Sequence, residues 1–148
     1  MAFLGQFEYT LDAKNRLTIP PKFRGALSDG VVLAKDIDTC VSIWPMAGWV
    51  AHTDRILADR DLLDEDMRDY QRLLHSGAYE AQLDGAGRIM LPQPLIDRVG
   101  LDREVSLIGN LNVIEVWDRA LWAKRQPELD AQATEIARRL SSRAKDRR

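Results

Sequence analysis

Asp12 stands four residues before Arg16, and Asp84 stands four residues before Arg88. A symmetric pair of carboxylates could do acid–base chemistry, because like charges forced together split their pKa values and one keeps its proton. An arginine four residues on works against that use, since a neighbouring guanidinium holds a carboxylate ionised. Neither aspartate is followed by the Thr-Gly or Ser-Gly of two-lobed aspartic proteases. The pattern favours an ion pair that orders a loop, and no catalytic residue is assigned. The cations suggest a different chemistry. Lys14 and Arg16 sit in and beside the first loop, with Lys22 and Arg24 close behind. Ammonium and guanidinium groups at a loop tip suit phosphates, and arginine also reads guanine bidentately in the major groove. A salt bridge to Asp12 competes for Arg16.

The elements that must position these groups are duplicated. Leu11-Asp12-Ala13-Lys14-Asn15-Arg16-Leu17-Thr18-Ile19-Pro20 returns as Leu83-Asp84-Gly85-Ala86-Gly87-Arg88-Ile89-Met90-Leu91-Pro92. Upstream, Gly5-Gln6-Phe7-Glu8 lines up with Gly77-Ala78-Tyr79-Glu80. Downstream the match resumes one residue out of step: Val41-Ser42-Ile43-Trp44 faces Ile114-Glu115-Val116-Trp117, and Trp49 faces Trp122. Two copies of one small module imply a pseudo-symmetric unit.

Alternation and turn residues predict strands over 7–11 and 17–19, and in the second copy over 79–83 and 89–91. Asn15 and Gly87 occupy matching loop positions and are the residue types that most readily accept positive φ. Each loop then reads as a three-residue hairpin turn, with Asp12 opposite Arg16 and Asp84 opposite Arg88. Pro20 and Pro92 end strands and begin short helices over 22–27 and 95–99. Strand pairs follow, 31–35 with 40–44 and 104–108 with 113–117. Pro45 and Asp118 open further helices. A connector helix carries Met67, Tyr70, Leu73 and Leu74 on one face, with Asp64 as its cap and Gly77 as its stop. Beyond Pro127 a second stripe, Leu129, Ala133, Ile136, Ala137 and Leu140, predicts a last helix that frays into a basic tail. The expected architecture is mainly β with peripheral helices, an α+β chain. It divides into repeat 1 (7–54), a helical connector (55–77), repeat 2 (78–124) and a C-terminal helix with tail (125–148).

The chain has 148 residues, 45% hydrophobic and 30% charged, as an ordinary globular protein does. No apolar run is long enough for a bilayer and no secretory leader is evident, which points to the cytoplasm. The formal net charge of −2 hides an uneven distribution. Cations gather near the first loop and in Arg138, Arg139, Arg143, Lys145, Arg147 and Arg148; acid gathers at Asp54, Asp59, Asp61, Asp64, Glu65, Asp66 and Asp69. Local field rather than the sum decides what docks, so nucleic acid remains open as a partner.

Other candidate sites read as structural. Cys40 is the single cysteine, which excludes a disulfide and a thiolate zinc cage within the chain; its counterpart is Val113, so it reads as a buried small hydrophobe. His52 and His75 lack metal-ligand spacing and read as solvated or helix-end residues. Trp44 and Trp117 end strands symmetrically and read as seals of a small core. No phosphate-binding glycine loop, nucleophile elbow or zinc-protease helix occurs. No cofactor, metal or small-molecule substrate is expected.

The doubled motif, with Trp44-Pro45 and Glu115-Val116-Trp117-Asp118, closely resembles the MraZ family of bacterial transcriptional regulators, over about residues 3–125. Either copy alone would indicate only the broader AbrB/SpoVT group. The resemblance implies tandem swapped-hairpin AbrB-like repeats forming one pseudo-twofold barrel. It implies homo-oligomeric rings that bind double-stranded promoter DNA at repeated short boxes. Such boxes lie upstream of the division and cell-wall gene cluster, usually for repression, in a nucleoid-associated protein. It places DNA contact on Lys14 and Arg16, with Arg24 and Arg88 as helpers, and loop ordering on Asp12, Asn15, Asp84 and Gly87. Leu4 stands where many members carry arginine, and Ala86 replaces a lysine-like position. The first loop is therefore the stronger candidate. A rival reading is an antitoxin-like module whose barrel edge or tail engages another protein.

Overall fold

Short apolar runs bounded by prolines, glycines and acidic caps become strands and helices close to where that punctuation falls. The computed structural model describes residues 2–59 and 61–147; Arg148 of the basic tail lies outside them. The first half contains β1 (Gln6–Thr10), β2 (Arg16–Thr18), α1 (Pro21–Arg24) continued by a 3₁₀ turn (Gly25–Leu27), β3 (Val31–Lys35), β4 (Val41–Pro45) and α2 (Met46–Ile56). The connector is α3 (Glu65–Ser76), whose Asp64 carboxylate accepts the Asp66 amide. The second half contains β5 (Ala78–Ala81), β6 (Arg88–Met90), α4 (Gln93–Val99), β7 (Glu104–Asn110), β8 (Val113–Asp118) and α5 (Arg119–Asp146). No helix among the described residues is long and apolar enough to cross a membrane.

The strands around each loop do not pair with each other, which corrects the hairpin expectation. β1 pairs antiparallel with β7 of the other repeat, β5 pairs with β3, and β2 pairs with β6. The main sheet runs β1-β7-β8-β4-β3-β5, and β2-β6 forms a separate ribbon. A lone two-stranded hairpin is marginal in water. Exchange gives β1 a five-residue ladder on β7 and lets the ribbon cover the sheet.

The exchange is pseudo-twofold. Leu17 faces Ile89 in the ribbon, and Ser42 faces Glu115 in the sheet; each pair consists of repeat counterparts, so the axis passes through both. Val105 opposite Tyr9 answers Val31 opposite Ala81, so the copies are two residues out of step at β3 and β7. That shift is one residue more than the strand-end tryptophans indicate.

One sheet face, with Val31, Leu33, Ile43, Leu107, Ile114 and Val116, packs on Leu17, Ile19, Ile89 and Leu91 of the ribbon region and on Phe23 and Leu95 of the short helices. The other face buries Val32, Ala34, Trp44 and Val113 against Trp49 of α2. Trp44 and Trp117 are each 6% exposed, as seals should be. His52 is half-buried within α2 rather than at a helix end, stacked 4.2 Å from Trp44, and burial lowers its pKa. His75 is an exposed helix-end residue.

Two helical expectations change. α5 runs unbroken through Pro127 to Asp146, so Arg138, Arg139, Arg143 and Lys145 are helical rather than frayed. Pro127 removes a bond to the carbonyl of Ala123, an exposed residue whose oxygen water can satisfy. On α3, Met67, Tyr70 and Leu74 are half-buried but Leu73 is 55% exposed, so the apolar face is only partly covered.

Leu17 is fully buried on the pseudo-axis, where both repeats close on it. Leu17→Ala should lower unfolding free energy by about 2–5 kcal/mol in a urea titration. A loss below about 1 kcal/mol would mean that the ribbon is peripheral to stability.

Candidate nucleic-acid interface

Each loop is built around its aspartate. Asp12 Oδ1 accepts the backbone N–H groups of Lys14 and Arg16, both at 2.9 Å, and Oδ2 accepts Arg16 Nε at 2.6 Å. Asp84 repeats the pattern: Ala86 and Arg88 donate their amides to Oδ1 at 2.9 Å, and Arg88 Nε reaches Oδ2 at 2.9 Å. The backbone closes each turn, Asp12 N–H to Arg16 O at 3.2 Å and Asp84 N–H to Arg88 O at 2.9 Å. Asn15 and Gly87 take φ of 60° and 74°, the left-handed conformation their types permit. The backbone hydrogen bond from Arg16 leads in holding the Asp12 carboxyl down to about 2 against partial desolvation. The equivalent bond from Arg88 lowers Asp84. Two carboxylates each locked to their own arginine do not share a proton, which removes the acid–base reading of the pair.

The loops are also braced across the repeats. Leu91 N–H donates to Asn15 O at 2.9 Å, and Ile19 N–H donates to Gly87 O at 3.0 Å. Arg103 donates to Asp12 O at 2.8 Å and to Asn15 Oδ1 at 2.7 Å, while Asn15 Nδ2 donates to Gln93 Oε1 at 2.9 Å. Arg24 donates from Nε to Ile19 O at 2.9 Å, and its side chain lies so close to Gly87 that a Cβ there would stand 2.2 Å from Nε. Arg24 thus has a bracing duty that sequence reasoning missed. So did the roles of Arg103 and Gln93, which show no periodicity or motif; only their arrival at the first loop identifies them. Lys22 Nζ sits 4.7 Å from the Phe7 ring centre and 5.3 Å from that of Phe23, which holds its charge on the aromatic surface.

Side-chain alternation sets the outer surface. Leu17 and Ile89 point inward, so Arg16 and Thr18 of β2 and Arg88 and Met90 of β6 share the opposite face. The Arg16 and Arg88 side chains remain 29% and 32% exposed, Met90 is 58% exposed, and Lys14 is exposed at the tip of the first loop. The result is a ribbon face with two arginines oriented by aspartate bonds, and beside the first loop the Lys14 ammonium, which has no hydrogen-bond partner among the described residues.

An acid titration checks the loop geometry. The folded pKa of Asp12 is depressed, so its stabilisation is present above the unfolded value of 3.8 and is lost as pH falls through about 2. The Arg16 amide resonance should hold its position down to pH 3.8 and move with a midpoint near 2. A midpoint at 3.8 would show that the carboxylate is not bonded to that amide.

Comparison with known proteins identifies the family. The family model described as "MraZ protein, putative antitoxin-like" matches residues 2–73 and again residues 74–144. A protein of Natranaerobius thermophilus named transcriptional regulator MraZ is 36% identical over 135 residues, 91% of this chain and 94% of the relative. One of Thermomicrobium roseum with the same name is 34% identical over 140 residues, 95% of this chain and 98% of the relative. A third, of Acetivibrio thermocellus, is 32% identical over 139 residues, 94% and 96% of the two chains. With both halves matched and relatives alike over nearly their full length, the chain belongs to the MraZ family.

Proposed function

We propose that this protein is a transcriptional regulator that binds double-stranded promoter DNA sequence-specifically as a homo-oligomer. The observation that carries the reading is the β2–β6 ribbon, which sets Arg16 and Arg88 on one outer face, each guanidinium oriented by its own aspartate. An arginine aligned beforehand loses less freedom when it meets a base edge or phosphate. Arg16 makes the principal contact and Lys14 adds phosphate attraction. Arg88 is a weaker helper because Ala86 leaves its loop without the lysine, and Arg24 acts mainly by bracing. The name shared by the relatives supports transcriptional regulation. The exchanged strands support a swapped-hairpin organisation of the two repeats. Repeated boxes upstream of a division and cell-wall gene cluster, with repression as the outcome, complete the proposal.

One ribbon offers few cations, and affinity grows with the number of phosphates neutralised. A ring presenting several identical ribbons would raise affinity through effective concentration. A second reading, docking of a partner protein as an antitoxin-like module does, draws on Leu62 at 62% and Leu63 at 90% exposure beside the acidic connector. It requires no steep salt dependence on DNA.

In anisotropy titrations, Arg16→Ala should weaken promoter binding about 10- to 100-fold and leave the oligomer intact, with a smaller loss for Arg88→Ala. Log affinity should fall steeply with log salt in the wild type. Unchanged binding in Arg16→Ala would reject the assignment, and a flat salt response would favour the protein-docking reading. Electrophoretic shifts should show a fragment with several boxes bound far more tightly than one with a single box. Equal affinities would remove the avidity mechanism.

A further inference from the structure

We propose that the turn joining β3 to β4, with the adjoining β8, holds a site for a transition-metal dication of the zinc class, ligated by Asp36, Cys40 and Glu115. One ligand atom from each of these side chains lies within 4.8 Å of the other two. They come from separate places: Asp36 follows β3, Cys40 precedes β4, and Glu115 is in β8. The 36–40 turn lies past Lys35, whose partner Val41 pairs with Val116 of β8. Metal binding here goes beyond the regulatory reading and does not rest on it.

Charge and softness point to the ligand. Cys40 is 0% exposed, and no hydrogen bond reaches its Sγ among the described residues. Glu115 is 8% exposed and, among the described residues, accepts from neutral donors alone, Trp117 Nε1 at 3.0 Å and Asn110 Nδ2 at 3.3 Å. Of the nearby cations, Lys35 donates from Nζ to the Asp36 backbone carbonyl and Arg55 from Nε to Ala51 O, and neither makes a salt bridge to Asp36 or Glu115 among the described residues. A buried carboxylate with no salt bridge among the described residues would gain from a dication seated between it and Asp36. A thiophilic metal would displace the Cys40 proton on binding. One sulfur with two carboxylate oxygens suits Zn2+ or Co2+ better than Mg2+ or Ca2+. His52, Asn110 and Asn112 border the same cleft, leaving room for a fourth ligand or water.

The repeat sharpens the inference. The counterparts of Cys40 and Glu115 are Val113 and Ser42, so the pseudo-symmetric position has no such ligands. The cluster is a departure from the duplicated plan rather than a product of it. Cys40 is buried, as the reading of it as a small hydrophobe expects; metal ligation would add a second role to that residue.

The test titrates the full-length, metal-stripped protein with Co2+, then with Zn2+ in competition. Binding at one ion per chain with a thiolate-to-cobalt charge-transfer band in the near ultraviolet is expected. Cys40→Ser should abolish the band, and Asp36→Asn and Glu115→Gln should each weaken Zn2+ binding by more than about tenfold. Asp36 lies in a partly exposed turn, so Asp36→Asn serves if either buried variant fails to fold. Zn2+ should raise the Tm of the wild type and not that of Asp36→Asn. Binding without the band, or a band and affinity indifferent to Asp36→Asn, would overturn the site.

Discussion

Leu17 against Ile89 is the contact on which the rest of this molecule depends. Both side chains are fully buried, they come from equivalent places in the two repeats, and the three-residue strands that carry them pair only with each other. Strands so short have little stability of their own; they persist because their apolar face closes the core over the six-stranded sheet. Inward leucine and isoleucine force the flanking residues outward. The same packing that seals the interior therefore displays Arg16 and Arg88.

Burial puts the arginines on the surface, but hydrogen bonding decides how they stand there. In each loop one carboxylate takes two backbone amides and one guanidinium, which fixes backbone and side chain together. Reciprocal bonds, Leu91 to Asn15 and Ile19 to Gly87, then tie each loop to the other repeat. Neither loop can be displaced without disturbing its partner's strand. This coupling suits a surface that must hold its shape while meeting a rigid ligand.

Where the copies differ, duplication has been put to separate uses. Lys14 against Ala86 gives one loop an extra charge, and Asn15 against Gly87 lets one loop bond Arg103 and Gln93 while the other accepts Arg24 against its backbone. Cys40 and Glu115 against Val113 and Ser42 make the two repeats chemically unlike at those positions. Symmetry governs the backbone. Individual side chains govern the chemistry.

Much was legible in the sequence because local rules fixed it. Proline, glycine and acidic caps marked most element ends to within two residues; Asp four before Arg announced the loop ion pairs, and Asn15 with Gly87 announced the left-handed turns. Those depend on neighbours along the chain. Strand partnership did not follow, because β1 could satisfy its backbone on β2 or on β7 with the same residues, and only the chance to bury Leu17 on Ile89 selects the second. The bracing by Arg24 and Arg103, the stacking of His52 on Trp44, and the meeting of Asp36 and Cys40 with Glu115 are likewise decided by tertiary structure. They join side chains carried by different elements, and no local preference encodes a distance that exists only after those elements have packed.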